Sequence, residues 1–189
     1  MKKTLTMVLA FALVFALGVG GTLAWLKDTT PEVKNTFSPS TINIDLTETV
    51  PANQTAKMVP GATIDKNPTV VVEANSENCY LFIEVTETGD VDTFLNYTID
   101  SAWQLVPGET NVYYLGTADA LTKVMLNETT AQNFPILTNN QVAVDENVTK
   151  AQMDALKDDL GLTFKAYAVQ AENLKVTAIA DIWNLAKAQ

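Results

Sequence analysis

Apolar and polar residues alternate with a period of two through much of the middle of the chain. Ile42, Ile44 and Leu46 fall on one side of an extended segment, with Asn43, Asp45 and Thr47 on the other, the signature of a strand with one buried face. After a turn at Val59-Pro60-Gly61, the run Pro68 to Val72 predicts a second strand. A loop at Asn75-Ser76-Glu77-Asn78 then leads into a third, Cys79 to Thr86. Alternation places Cys79, Leu81, Ile83 and Val85 together on one face. Further strands are expected over Leu95 to Ile99, Trp103 to Val106, Asn111 to Leu115, Gln141 to Val144 and Leu162 to Ala171. Thr88-Gly89-Asp90, Pro107-Gly108-Glu109 and Thr138-Asn139-Asn140 supply turn chemistry between them. Strands and turns at this spacing predict a mainly all-β fold, an antiparallel β-sandwich.

Two stretches change period. Thr149 is placed to cap a helix whose apolar stripe is Met153, Leu156 and Leu160. Near the C-terminus Val176, Ile179, Ile182, Trp183 and Ala186 recur at three- and four-residue spacing, a second helix whose Trp183 face is expected to pack on the sandwich.

The N-terminal end obeys neither pattern. Met1-Lys2-Lys3 is followed by a nearly unbroken apolar run from Leu5 to Leu17, then by Gly18, Gly20 and Gly21 and by small residues at Thr22 and Ala24. This is the plan of an export signal cut by a signal peptidase between Ala24 and Trp25. An uncleaved anchor would use the same apolar run, but the glycine cluster and small residues favour cleavage, after which no stable membrane anchor is expected. The expected organisation is a signal peptide over residues 1–24, an extended segment over 25–40 and a β-sandwich domain over 41–189. The extended segment is polar, is interrupted by Pro31 and has Trp25, Leu26, Val33 and Phe37 as its main apolar members. If it is extended, Val33, Asn35 and Phe37 share one face, so it is suited to serve as a strand for a sheet that lacks one.

Charge and composition narrow the chemistry. The formal charge of −10 becomes about −12 without Lys2 and Lys3, a surface that repels phosphate backbones, so no nucleic-acid partner is expected. The lone cysteine, Cys79, has no partner for an intramolecular disulfide, so stability must come from packing. The chain has no histidine, which removes imidazole-based triads and, with one cysteine, the ordinary zinc ligand sets. No D-x-D-x-D-G calcium loop, P-loop or dinucleotide fingerprint occurs, and the acidic residues single out no glycosidase pair. No catalytic residue, metal or cofactor is expected.

The segment GGTLAWLKDTTPEVKNTFSPSTINIDLTE resembles the start of the TasA and camelysin group, exported proteins of Gram-positive bacteria with a SipW-type signal peptide. The matching positions are Gly20, Gly21, Thr22, Ala24, Trp25 and Asp28, then Asn35-Thr36-Phe37, then Ile42, Ile44 and Leu46. Val59-Pro60-Gly61, Lys66, Pro68, the strand through Tyr80 and Val85, and Phe164 to Ala171 resemble later blocks of that family. The resemblance implies a jelly-roll-like sandwich exported to the cell surface or biofilm matrix. It further implies fibres in which the N-terminal segment of one copy, here Trp25, Leu26, Val33, Asn35 and Phe37, completes the sheet of a neighbour. The partner would be a second copy of the chain or a related matrix fibre protein. Some camelysin members carry a metallopeptidase label, but this chain has neither H-E-x-x-H nor any histidine. A third reading is a monomeric surface or spore-coat binding module whose N-terminal segment is a tether.

Overall fold

The structure is a computed structural model and describes residues 41–49, 58–156 and 159–188. The expected signal peptide and extended segment lie outside those residues. The described part is mainly β, with three antiparallel sheets and a few short helices, as an all-β sandwich requires.

One layer is built on β4 (Cys79–Thr88), which pairs along its whole length with β11 (Gly161–Gln170) and, on its other side, with β7 (Val112–Thr117). Strand β6 (Trp103–Leu105) continues the layer beyond β7, and β8 (Ala120–Leu121) folds back on β7 as a hairpin. The opposing layer is made of two short sheets. Strand β1 (Ile44–Thr47) pairs with β3 (Thr69–Val72), which pairs with β9 (Gln132–Pro135). Strand β2 (Thr63–Asp65) pairs with β10 (Gln141–Val144), which pairs with β5 (Leu95–Asn96). The break between β2 and β3 falls at Lys66-Asn67-Pro68, where proline has no N–H to give a ladder. The break between β9 and β10 is a 3-10 turn at Thr138–Asn140, with Asn139 and Asn140 at φ 56° and 55°, a conformation asparagine tolerates better than most residues.

The main core lies between the layers. Cys79, Leu81, Ile83 and Val85 face Val70, Val72, Ile136, Leu137 and Val142 across it, with Trp103, Leu115 and Phe164 closing the cluster. The alternation of β4 is thus realised, and the interleaved Phe82 is equally buried because the other face of the sheet is covered too. That cover is a C-terminal helix, Ile179–Ala186, which packs Ile182, Trp183 and Ala186 on Phe82, Val112, Tyr114 and Val169. The Trp183 ring meets Tyr167 edge-on at 5.0 Å and Phe82 at 5.6 Å, and its indole N–H donates to Glu109 at 2.9 Å.

Two other helices are short. Val91–Phe94 (α1) precedes β5, so the strand expected over Leu95 to Ile99 shrinks to Leu95–Asn96 plus an isolated bridge from Ile99 to Leu137. Lys150–Ala155 (α2) has the expected Thr149 cap, a full capping box with Gln152, but ends before Leu160, which falls outside its apolar stripe. The C-terminal helix is α3. Strands β2, β8 and β9 were not predicted from the sequence, being short or polar.

Candidate assembly edge

Among the described residues, no group of three or more His, Cys, Asp or Glu side chains is placed to hold a metal ion, and no buried side-chain nitrogen or oxygen lacks a hydrogen-bond partner. Cys79 is fully buried, and that burial pushes its thiol up to about 11, so near neutral pH it is a packed thiol rather than a nucleophile. Two open surface clefts of about 440 and 430 Å³ flank α2 and α3 respectively. No helix among the described residues is long and apolar enough to cross a membrane.

The feature with the clearest binding geometry is an edge. Strand β11 is the outermost strand of its sheet, ten residues long, and among the described residues no strand pairs with its outer side. Such an edge presents alternating N–H and C=O groups ready to accept another strand. Strand β1, itself an edge strand of the opposing layer, lies against β11. The seam between them is apolar on both sides. Ile42, Ile44 and Leu46 from the β1 segment and Leu162, Ala166 and Ala168 from β11 are half-buried members of the main core, and Phe164 is 9 % exposed among them.

Polar groups bound the seam. The Lys66 ammonium lies 5.6 Å from the Phe164 ring centroid and 3.2 Å from Glu48, in a pair whose side chains are only 25 % and 23 % exposed. On the opposite face of β11, Lys165 is exposed and lies 4.6 Å from the Tyr167 ring, while the Tyr167 hydroxyl donates to Glu84 at 2.7 Å. The hydroxyl is held above the ordinary tyrosine range, first by burial and then by that carboxylate.

The residues singled out in the sequence contribute unequally. Ala24 and Trp25 at the expected cleavage point, and Leu26, Val33, Asn35 and Phe37 of the expected donor segment, all lie outside the described residues. The strand expected around Ile42, Ile44 and Leu46 is β1 (Ile44–Thr47), and it is the one placed against β11. What sequence reasoning missed was the open edge: Leu162 to Ala171 is legible as a strand, but its place at the sheet edge follows from pairing order, which no local pattern encodes. No protein-family model, curated protein or solved structure matches the chain.

Proposed function

We propose that this chain is a secreted structural protein of an extracellular or biofilm matrix that assembles head to tail, the segment from Trp25 to Phe37 of one copy adding to the β11 edge of the next. The observation that carries this reading is the ten-residue β11 edge beside β1, with an apolar seam between them. A strand laid there gains backbone hydrogen bonds from β11 and sets alternate side chains into the seam, with Val33 and Phe37 as apolar occupants and Asn35 between them. Donor and acceptor surfaces differ, so the contact is heterologous and propagates as a filament. The similarity of the N-terminal block to the TasA and camelysin group supports the same reading, as does the export signal. A related fibre protein with the same edge would serve as partner equally well.

Electron microscopy of the chain beginning at Trp25, with and without residues 25–37, tests this. Fibres from the longer form alone are expected. Two forms that both stay monomeric at every concentration and salt tested would reject self-assembly.

A monomeric surface module is the second reading, and one observation favours it. Exposed Lys165 on β11 and exposed Asp45 and Thr47 on β1 are the polar residues that sheet edges use to discourage pairing. Under this reading residues 25–40 are a tether and the seam is closed within one chain.

A further inference from the structure

The cleft beside α3, about 430 Å³, lies where the β7–β8 hairpin, the end of β11 and the start of α3 meet. Its floor is apolar: Leu121, Leu174, Val176 and Ile179 are half-buried and pack on the core beneath α3. Its rim carries the exposed residues Asp119 and Asn173. The ion pairs among the described residues engage Glu48, Glu109, Asp154 and Glu172, and Asp119 is in none of them. Such a floor takes an apolar side chain, and the carboxylate at its rim favours one that travels with a positive charge.

Position selects the occupant. Ala171, which lines the cleft, donates its N–H to Asn78 just past the pairing of Gln170 with Cys79, so the cleft stands at the C-terminal end of the β11 edge. A segment laid antiparallel on that edge, with Val33 to Phe37 along the seam, carries its first residues past Gln170 toward the cleft. Residues 25–32 lie ahead of Val33 and span up to about 26 Å when extended. Laid parallel, the segment would bring the same end to Gly161, away from the cleft. A cut between Ala24 and Trp25 leaves an α-ammonium on Trp25, next to the apolar side chains of Trp25 and Leu26. Apolar bulk beside one positive charge is the complement of an apolar floor beside one carboxylate.

We propose that this cleft receives the mature N-terminus of the neighbouring copy, with Trp25 and Leu26 against the floor and the α-ammonium beside Asp119. The inference rests on the head-to-tail reading for the source of the segment, and it sets the segment antiparallel to β11. The test is an NMR titration of the chain from Trp25 onward carrying Trp25→Ser and Leu26→Ser, following the Leu121, Leu174, Val176 and Ile179 methyl groups. The probe is the peptide amide Trp-Leu-Lys-Asp, with a free or an acetylated amine, at about pH 6.5, where an α-amino group is protonated. Saturable shifts are expected with the free amine, at an affinity on the order of millimolar or tighter, and about three- to fivefold weaker binding after acetylation. Asp119→Asn, at an exposed position, should bring the free amine down to the acetylated level. Absent shifts, equal binding of the two peptides, or undiminished binding by a folded Asp119→Asn chain would each overturn the proposal. Fibres from the chain beginning at Trp25 without peptide shifts would overturn the cleft and leave the head-to-tail reading standing. Peptide binding with no fibres under any condition would overturn the neighbour as the source, and the head-to-tail reading with it.

Discussion

Gly116 carries a constraint that its neighbours in the sequence do not announce. A Cβ built there would meet the Ala120 carbonyl oxygen at 2.1 Å and the Tyr114 ring at 3.0 Å, because β8 turns back onto β7 and pairs Gly116 with Leu121. Backbone oxygen cannot swing aside as a side chain can. Gly116→Ala is expected to cost about 2 kcal/mol or more, read as a lower urea midpoint with an unchanged m-value. From the sequence Tyr-Leu-Gly-Thr looks like a strand with a weak residue, since the atom that demands glycine arrives from four residues downstream. Cys79 is the opposite case, its burial legible from alternation alone. The folded thiol sits near 11, against 9.0 for an exposed one, so the folded chain holds its proton more tightly than the unfolded chain. The sign follows directly: the stabilisation is fully present below about pH 9 and is lost as pH rises through about 11. Cys79→Ala should therefore lose less stability than the parent chain between pH 9 and 11. Parallel curves for the two across that window would show that the thiol does not titrate there.

Among the elements, the C-terminal helix α3 was readable and several strands were not, and the difference is one of where the stabilising energy comes from. Helix α3 declares itself because Ile179, Ile182, Trp183 and Ala186 repeat at the helical period and bury one stripe. Strands β2 and β9 have no such declaration. Thr63-Ile64-Asp65 is short, and Gln132-Asn133-Phe134-Pro135 is polar and ends in proline; each is a strand because β10 and β3 supply its hydrogen bonds. Helix α2 lies between these cases, its start written in the Thr149 and Gln152 capping box and its packing slight, with no fully buried residue. Truncating the two kinds of contact should have different reach. Trp183→Ala opens the second core beneath Phe82 and Tyr167 and breaks the bond to Glu109, an expected loss of about 3–5 kcal/mol in global unfolding. Thr149→Ala is expected to cost about 1 kcal/mol, visible as faster amide exchange confined to α2 with little change in the global midpoint. If both lower the global midpoint equally, α2 is coupled to the core more tightly than its burial indicates.

For the molecule as a whole, the proposed assembly would turn on which chain's N-terminal segment adds at the seam between β1 and β11. The proposed donor pattern, Val33, Asn35 and Phe37, is local to the sequence, whereas the proposed acceptor emerges only once ten residues of β11 are placed at a sheet edge with β1 against them. Residue 37 precedes β1 by only a few positions and β1 itself borders the seam, so the same chain could also supply the strand. Filling the seam from the same chain would give a closed monomer, and filling it from another would give a filament. Cross-linking separates the two. In a Cys79→Ala background, one chain carries Phe37→Cys and a second carries Ala166→Cys, the latter at a half-buried seam position. Donor-strand addition predicts that mixing the two yields a disulfide-linked dimer, with little from either chain alone. The chain carrying both cysteines should then yield a covalent ladder of multimers on a denaturing gel. An exclusively monomeric, internally cross-linked product from the double-cysteine chain at all concentrations would instead mean that the segment closes its own sheet, and the head-to-tail filament would be lost with it.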